Sequence, residues 1–372
     1  MIKIMHCISD TNFGGAGRVL LNYLSHFDKE KFEVLVVVPK GSKLLEYMTD
    51  PQYTVIEFDG LYDRSFNFTD VLELKKLIKT YNPYIVHSHG ALSARIAGRQ
   101  CGCKVVYTRH SIFDLPQWQT KGIGKIALGT FNSHYADKII AVSPAAKTLL
   151  VDSGTPEDMI DVVFNGVETV SRATEEENIQ TRAQYGIGNN TFVCSIVARL
   201  EEVKGHKYII DAAKILKDQE IDNIRFLIAG AGGIEDQLKE YATELDVNDL
   251  VHFTGFVKDV NKLLSVTDVQ LNASYGTEAT SMALLEGFSL GIPAIVSDFG
   301  GNPFVVTEGL NGLIFEKKNA VALSEAILKL KNNKDLYDQT AKGALELFFA
   351  KFTADEMAKN MEAIYIALAE RR

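Results

Sequence analysis

Two glutamates, Glu278 and Glu286, stand eight residues apart around the uncharged stretch "ATSMALL". In a helix, with a rise of about 1.5 Å per residue, they would be separated by roughly 12 Å along the axis. Carboxylates that cleave a glycosidic bond together lie about 5 to 9.5 Å apart, so this pair is a poor candidate for a glycosidase. The spacing suits two carboxylates that hold opposite ends of one long ligand.

The surroundings of the two glutamates indicate what each could bind. Glu286 lies among apolar residues, where an unpaired charge is costly, so its carboxylate requires hydroxyl donors such as the two that ribose offers. Glu278 lies just before Thr280 and Ser281, either of which can cap a helix whose first amides then remain available to an anion. The alternative interpretation is that both glutamates are surface residues of an amphipathic helix.

Two cations and a set of glycines could complete an anion site. Arg199 and Lys204 flank the end of a strand-like run and the start of the next helical segment, where a guanidinium fork and an ammonium could converge on one diphosphate. The glycines of "NFGGAG" (12–17) follow the first strand, and backbone amides there could bind phosphate oxygens. Leu20 stands where a dinucleotide fingerprint has its third glycine, so that fingerprint fails. Solvated side chains and a plain tight turn are the alternatives.

Three histidines, His87, His89 and His110, fall at strand ends in "VHSHG" and "YTRHS". His87 and His89 could face one way as metal ligands, but no Asp-x-Asp or carboxylate cluster accompanies them, and we expect no metal. The side chain of His110, at the end of a central strand, would point into a ligand cleft and form a hydrogen bond there. The alternative is an ordinary strand-end histidine.

Composition excludes several classes of function. A net charge of −9 argues against general nucleic-acid binding. The four cysteines lack the spacing of a zinc site or a thioredoxin-type motif, which favours thiols in a reducing compartment. The first residues, "MIKIMHCI", read as a strand rather than a signal peptide, and no apolar run approaches the ~20 residues of a membrane span. We therefore expect a cytoplasmic protein.

The elements that must position these side chains alternate along the chain. Apolar strand-like runs alternate with helix-length amphipathic segments, which predicts a parallel sheet covered on both faces, a doubly wound α/β domain. In the first half the predicted strands are 2–8, 32–38, 53–58, 84–89, 104–109 and 138–142, with helices at 15–27, 69–81, 91–101, 121–135 and 144–153. In the second half the predicted strands are 192–200, 224–230, 250–256, 269–274 and 293–298.

The alternation breaks at the polar, acidic stretch 168–191, which we interpret as a linker or a surface helix. We therefore predict a first Rossmann-like domain at 1–170, a linker at 171–190 and a second Rossmann-like domain at 191–351. A last helix, 352–372, would pack back on the first domain. Because ligands bind at the carboxyl ends of such strands, two domains facing each other would form a central cleft for the ligand.

Taken together, these stretches resemble the family 4 glycosyltransferases, retaining nucleotide-sugar enzymes with two Rossmann-like domains, the GT-B fold. The resemblance extends over nearly the whole chain. It rests on the order of "GGAGRVLLNYL", "VHSHG", "TRHS", "ADKIIAVSPAAK", "VFNGVE", "ARLEEVKG", "FLIAGAGG" and "VHFTGF", and on Glu278-x7-Glu286 followed by "GIPAIVSDFGG".

The resemblance implies a role for each candidate residue. Glu286 would bind the ribose hydroxyls of the donor, and Glu278 would contact the donor sugar near its C3 and C4 hydroxyls. His110 would lie beside the donor sugar and the reacting centre, and Phe256 would flank the base. The diphosphate would be bound by Arg199, Lys204, Gly15, Ser281 and Met282.

Two positions depart from the family pattern. Ala279 follows Glu278 where the family often has glycine, and Phe304 stands in "GGNPF" where the family often has "GGxPE". The second departure puts the local environment of the donor sugar in doubt.

The resemblance implies transfer of a hexosyl group, with retention, from a nucleoside diphosphate sugar to a glycan or lipid-linked acceptor. UDP is the expected nucleotide, cell-surface polysaccharide or glycoconjugate biosynthesis the expected setting, and no metal or other cofactor is expected. A nucleotide-sugar 2-epimerase on a related fold and a non-catalytic nucleotide-sugar binding protein are the alternatives.

Segment 112–135 adds one further expectation about partners. With Trp118, Lys121 and Lys125 it could rest on a membrane surface near a lipid-linked acceptor, which would place the protein peripherally at the inner membrane face. An amphipathic core helix is the alternative.

Overall fold

The chain forms two compact units in a computed structural model that describes residues 1–113 and 115–370. The first unit comprises residues 1–167 together with the chain from Phe352 onward, and the second is Glu168–Lys351. Residue 114 of the predicted surface segment and residues 371–372 of the predicted last helix lie outside the described residues.

The first unit is built on a seven-stranded parallel sheet. Its strands are β1 (Ile2–Ile8), β2 (Phe32–Pro39), β3 (Thr54–Phe58), β4 (Ile85–His89), β5 (Lys104–Arg109), β6 (Lys138–Ala141) and β7 (Ile160–Val162), in the order β3-β2-β1-β4-β5-β6-β7. Its helices are α1 (Gly15–His26), α2 (Phe68–Tyr81), α3 (Leu92–Gln100), α4 (Gln117–Thr120), α5 (Gly122–His134) and α6 (Pro144–Asp152). The strand order reverses between β1 and β4, so the carboxyl ends of these two strands border the crevice where such sheets bind ligands.

The second unit has the same plan with a six-stranded parallel sheet. Its strands are β8 (Phe192–Val197), β9 (Ile224–Ala229), β10 (Val251–Gly255), β11 (Val269–Asn272), β12 (Ala294–Ser297) and β13 (Gly312–Phe315), in the order β10-β9-β8-β11-β12-β13. Its helices are α7 (Glu175–Gln184), α8 (His206–Asp218), α9 (Glu235–Glu244), α10 (Val260–Ser265), α11 (Met282–Phe288), α12 (Asn302–Val305), α13 (Ala320–Asn332) and α14 (Lys334–Leu347). Here the order reverses between β8 and β11.

The apolar composition of the strands explains both sheets. The runs "IKIMHCI" and "FEVLVVVP" are almost wholly buried along their length, as expected for parallel strands with helices on both faces. Side-chain caps fix helix starts: Asn67 accepts from the amides of Thr69 and Asp70, and Ser143 accepts from the amide of Ala146. The doubly wound α/β plan predicted from the sequence is confirmed in both units.

The polar stretch 168–191, interpreted from the sequence as a linker or a surface helix, contains α7, and Thr174 and Glu177 form a reciprocal capping box at its start. The structure differs from the sequence prediction in two short strands. β7 and β13, which have three and four residues, were not predicted. Both are too short for hydrophobic periodicity to distinguish them from loops. In the described residues, no helix is long and apolar enough to cross a membrane.

The end of the chain belongs to the first unit. The amide of Val167 donates to the carbonyl of Phe352, and the amide of Ala354 donates back to Val167. The helix that follows, α15 (Ala354–Glu370), buries the ring of Tyr365 completely and packs on α1. The carboxylate of Glu362 accepts a hydrogen bond of 2.7 Å from the amide of Asp28. The last helix is therefore part of the core of the first unit.

Candidate active site

In the second unit, Lys204 and Glu278 form an ion pair beyond the carboxyl ends of β8 and β11, the neighbouring strands at which the order reverses. The Nζ atom of Lys204 lies 3.0 Å from Oε2 of Glu278. Their side chains are only 14% and 10% exposed. Nζ also donates to the carbonyl of Thr277 at 3.0 Å. The two residues belong to loops that such sheets place at the ligand crevice.

The carboxylate of Glu278 is fixed in orientation by further donors. Asn272 Nδ2 and Ser274 Oγ each donate to Oε2 at 3.1 Å, in addition to Lys204. The other oxygen, Oε1, accepts no hydrogen bond from the described residues. The carbonyl of Glu278 accepts from the amide of Gly301 at 2.8 Å. The arrangement holds one oxygen of Glu278 and leaves the second available to a ligand.

Glycines allow the loops of this site to approach each other closely. Gly205 has a φ of 74°, and a Cβ atom there would lie 2.1 Å from the carbonyl oxygen of Ala273. Gly300 has a φ of 62°, and a Cβ atom there would lie 2.4 Å from the carbonyl oxygen of Glu278. Only glycine fits at these two positions, since both the backbone conformation and the space exclude a side chain.

Glu286 and the start of α11 lie in the same unit as the ion pair. Glu286 is buried within α11. Ser281 is the N-cap residue of α11, but its hydroxyl makes no capping hydrogen bond, and Met282 is the first helical residue. The helix begins after Glu278, so the two glutamates are not both helical.

Three other predicted positions of the second unit are exposed. Arg199 forms an exposed ion pair of 2.8 Å with Glu201, and the described contacts do not join it to Lys204 or Glu278. Phe256 follows β10 and is largely exposed. Phe304, at the position where the family often has glutamate, is about half exposed on α12. Of the predicted donor-site residues, the structure brings Lys204 and Glu278 into direct contact.

In the first unit, His110 follows β5 and lines a cavity of about 280 Å³ together with Asp10, Ala16 and Arg109. Its Nε2 atom lies 2.9 Å from Nδ1 of His89. Burial lowers the pKa of His110 to about 4, so the ring is neutral at pH 7. Gly15 is the first residue of α1. The predicted residues of this unit thus lie after β1 and β5.

A group of three buried histidines lies beneath this cavity. Nitrogen atoms of His6, His87 and His89 lie within 4.8 Å of one another. Most of the ring nitrogens already have protein partners: His87 bonds Tyr365 and Thr108 at 2.6 and 2.7 Å, and His6 Nδ1 bonds His89 Nε2 at 3.0 Å. Among the described residues, His6 Nε2 has none. A metal ion could bind all three rings only by replacing hydrogen bonds of His87 and His89.

Sequence reasoning missed the residues that support the predicted ones. Asn272 and Ser274 orient Glu278, and the run "NAS" at the end of an apolar strand was a signal that could have identified them. His6 pairs in register with His87 across β1 and β4. No local signal marks His6, because the pairing depends on strand order.

Two family models match adjacent parts of the chain, which together make up most of its length. The model described as Glycosyltransferase Family 4 matches residues 13–171, and the model described as Glycosyl transferases group 1 matches residues 177–346.

Individual relatives show similarity along the same length. The chain is 28% identical over 353 residues to the putative glycosyltransferase EpsD of Bacillus subtilis, with 91% of each chain covered. It is 26% identical over 351 residues to an Escherichia coli UDP-Gal:alpha-D-GlcNAc-diphosphoundecaprenol alpha-1,3-galactosyltransferase, which covers 90% of this chain and 89% of that protein.

Among solved structures, Alr3699/HepE of Anabaena in complex with UDP superposes with a TM-score of 0.84 at 19% identity. It covers 98% of this chain and 100% of that chain. At this level of identity the superposition establishes the shared fold. Two doubly wound units, matches to both domain models and homology over about nine-tenths of the chain agree: the protein belongs to the family 4 glycosyltransferases, has the GT-B fold and transfers a sugar.

Proposed function

We propose that this protein is a retaining hexosyltransferase that uses a UDP-sugar as donor and a glycan or lipid-linked sugar as acceptor in polysaccharide or glycoconjugate biosynthesis. The observation that carries the proposal is the buried Lys204–Glu278 pair at the crevice of the second sheet. Support comes also from the E. coli relative, whose name specifies UDP-Gal as donor, and from the HepE structure with UDP.

Lys204 and Glu278 have complementary tasks in this proposal. Lys204, already held in the crevice by Glu278, provides a positive charge for the diphosphate of the donor. Glu278 has its Oε2 occupied by three donors, so its free Oε1 accepts hydrogen bonds from the hydroxyls of the donor sugar. Lys204 contacts Glu278, which binds the sugar, and it also contacts the diphosphate. The sugar and the diphosphate would therefore lie on either side of Lys204.

The remaining residues extend the donor site to the phosphates and to the nucleoside. Arg199, which exchanges Glu201 for the diphosphate, and the amides at Ser281 and Met282 bind phosphate oxygens. Glu286 binds the ribose hydroxyls, and the exposed ring of Phe256 flanks the base. The positive charge that neutralises the diphosphate thus comes from side chains and amides, and we propose that transfer needs no divalent metal.

The transfer step is carried by electrostatic stabilisation. The bond between the anomeric carbon and the diphosphate breaks, and the acceptor hydroxyl forms a new bond on the same face. The acceptor proton passes to the departing diphosphate. Lys204 and Arg199 stabilise the charge that develops on the leaving diphosphate, while Glu278 stabilises positive character on the sugar. His110, neutral at pH 7, hydrogen-bonds to the sugar beside the reacting centre.

Thermal unfolding in the presence of EDTA tests the donor and the metal independence. We expect UDP, and not GDP or ADP, to raise the melting temperature, with about 2.7 kcal/mol of stabilisation at 100 times its dissociation constant. Loss of every nucleotide effect in EDTA would contradict metal independence, and a larger effect of GDP would contradict the choice of base.

Product analysis and variants test the division of roles. NMR of the product should show the anomeric configuration of the donor. Glu278→Gln should lower kcat more than tenfold with little change in UDP affinity, whereas Glu286→Ala should weaken UDP binding by about 1.5–3 kcal/mol. Glu244→Gln, at an exposed glutamate of α9, serves as the matched charge control. An inverted product, binding without turnover, or equal loss of UDP affinity in both variants would refute the proposal.

A further inference from the structure

A second cavity of the first unit, of about 300 Å³, adjoins the one lined by His110. Arg109 and Phe113 line both cavities. Its walls combine polar side chains, among them Ser65, Gln119 and Ser153, with an apolar group formed by Leu92, Leu115, Leu128, Phe131, Leu149 and Leu150. The apolar group suits a hydrocarbon chain, and the polar side chains suit the polar end of the same ligand.

Arg109 brings an incompletely paired cation to this cavity. Its Nε donates to the carbonyl of Ser111 at 2.9 Å, and its guanidinium carbon lies 4.4 Å from the ring centre of Phe113. The Nη2 atom is buried without a hydrogen-bond partner, and no ion pair of the described residues includes Arg109. Arg95, in the same cavity, instead bonds Tyr135 and Asn132. A buried guanidinium nitrogen without an acceptor is costly, so an oxygen of a ligand is favoured beside Arg109.

The α4–α5 segment places apolar side chains in solvent next to the cavity. Trp118, Ile123 and Ile126 are 64%, 86% and 69% exposed. On the same helix, Leu128 and Phe131 line the cavity. Of the α5 residues only Gly129 and Asn132 are buried, so most of this helix lies at the surface of the first unit.

Basic side chains accompany this apolar surface. Lys121 is exposed and Lys125 partly so, and both lie in the α4–α5 segment with Trp118. A surface that combines large exposed apolar side chains with lysines is complementary to a membrane with anionic headgroups. The cavity would then open beside the surface from which a lipid could enter.

We propose that the Arg109 cavity binds the acceptor, and that this acceptor is a lipid-linked phosphate or diphosphate taken from a membrane surface. The phosphate contacts Arg109, the first part of the hydrocarbon chain lies along the leucines, and the reacting hydroxyl lies in the adjoining cavity beside His110. The α4–α5 segment rests on the membrane through Trp118, Ile123 and Ile126. The inference rests on the proposed function and names its acceptor class.

Trp118 is the only tryptophan of the sequence, so its fluorescence reports on this region directly. With the full chain and no sugar donor, we expect a saturable change on adding farnesyl phosphate below its micellar concentration. The apparent affinity should fall at least tenfold in Arg109→Gln and less in Arg109→Lys. Lys79→Gln, at an exposed lysine of α2, is the charge control and should bind as the unmodified protein does.

Equal responses to farnesol and farnesyl phosphate, or undiminished binding by both Arg109 variants, would overturn the acceptor assignment. Because no donor is present, such a result leaves UDP binding and transfer to be judged separately. Sedimentation with phosphatidylglycerol vesicles should decrease several-fold in an Ile123→Ser, Ile126→Ser variant. Ile179→Ser, at an exposed isoleucine of the second unit, should leave sedimentation unchanged. Equal sedimentation of these variants would overturn the membrane contact.

A second observation, independent of the cavity, concerns the ring nitrogens behind His110. His6 Nδ1 lies 3.0 Å from His89 Nε2, and His89 Nδ1 lies 2.9 Å from His110 Nε2. Burial lowers the pKa of His6 to about 3 and that of His89 well below its usual value, so these rings are neutral at pH 7. Each neutral ring has one N–H, and the proton position on one ring therefore fixes the next.

Two proton arrangements satisfy this chain of hydrogen bonds. Either every ring carries its proton on Nε2, which leaves an N–H of His6 buried without an acceptor, or every ring carries it on Nδ1. Buried N–H groups without acceptors are rare in proteins, which favours the second arrangement. In that arrangement Nδ1 of His110, the outer end of the chain, is a hydrogen-bond donor.

We infer that His6 and His89 are positioning residues that hold His110 as an Nδ1–H donor to the ligand. Two-bond ¹H–¹⁵N NMR of the histidine rings should show the Nδ1–H form for His89 and His110. His89→Phe should lower kcat at least tenfold while UDP affinity is kept. An Nε2–H form of His110 in the unmodified protein, or full turnover by His89→Phe, would overturn the inference.

Discussion

At the scale of single residues, the buried histidines make stability depend on pH. Burial lowers the pKa of His6 to about 3 and that of His110 to about 4, and it lowers the pKa of His87 well below its usual value. In the unfolded chain a histidine titrates near 6.5. Between these values the unfolded chain binds more protons than the folded one, so the free energy of unfolding falls as the pH falls.

We therefore expect the unfolding free energy to decrease between pH 6.5 and pH 4, by about 1.4 kcal/mol per pH unit for each histidine that is charged only when unfolded. His6→Phe, which keeps an aromatic ring in the core, should reduce this slope by that amount near pH 5. Urea denaturation at pH 5, 6 and 7 measures both slopes. An identical slope in His6→Phe would show that His6 is not neutral in the folded protein.

At the scale of elements, the loop between β8 and α8 determines where Lys204 lies. The loop approaches the end of β11 so closely that a side chain at Gly205 would collide with the carbonyl of Ala273. Gly186, after α7, has a similar φ of 60° but open space around its Cα atom. The two glycines separate the effect of backbone conformation from the effect of close packing.

Gly205→Ala should displace Lys204 from Glu278, because the loop must move to accommodate the methyl group. We expect UDP affinity to fall at least tenfold and stability to fall by more than the effect of Gly186→Ala. Gly186→Ala should cost about 1–2 kcal/mol for the left-handed conformation and leave UDP affinity unchanged. Calorimetric titration with UDP measures the affinity of both variants, and thermal unfolding measures their stability. Similar losses of UDP affinity and stability in the two variants would contradict the packing argument.

At the scale of the whole molecule, the carboxyl-terminal helix completes the core of the first unit. The hydroxyl of Tyr365 lies 2.6 Å from Nδ1 of His87, although the residues are 278 positions apart in the chain. Tyr23, on α1, is buried in the same core, but its hydroxyl has no hydrogen-bond partner among residues 1–113 and 115–370. The hydroxyl of Tyr365 therefore links the last helix to the sheet, whereas the hydroxyl of Tyr23 makes no such link.

We expect Tyr365→Phe to destabilise the protein by about 1–3 kcal/mol, because His87 loses a buried partner. Tyr23→Phe should be neutral or stabilising, since it removes a buried hydroxyl that bonds nothing. Denaturant unfolding of both variants makes the comparison. Equal destabilisation would mean that the hydrogen bond to His87 contributes nothing beyond the packing of the ring.

The sequence by itself determined the fold class and the positions of the candidate donor residues. Parallel strands that are covered on both faces have nearly continuous apolar sequences. Strands such as Ile2–Ile8 and Lys104–Arg109 could therefore be located to the residue. Residues that follow such strands must lie at the carboxyl edge of the sheet. That rule places Lys204 and Glu278 at the carboxyl edge of the second sheet without any knowledge of strand order.

Only the tertiary structure decided which of these residues touch. Lys204 meets Glu278 across 74 positions and His6 meets His89 across 83, because β8 lies beside β11 and β1 beside β4. The incomplete pairing of Arg109 is likewise visible only once its surroundings are packed. Local patterns report burial and periodicity, whereas these contacts depend on the order in which distant strands assemble, and the sequence patterns do not specify that order.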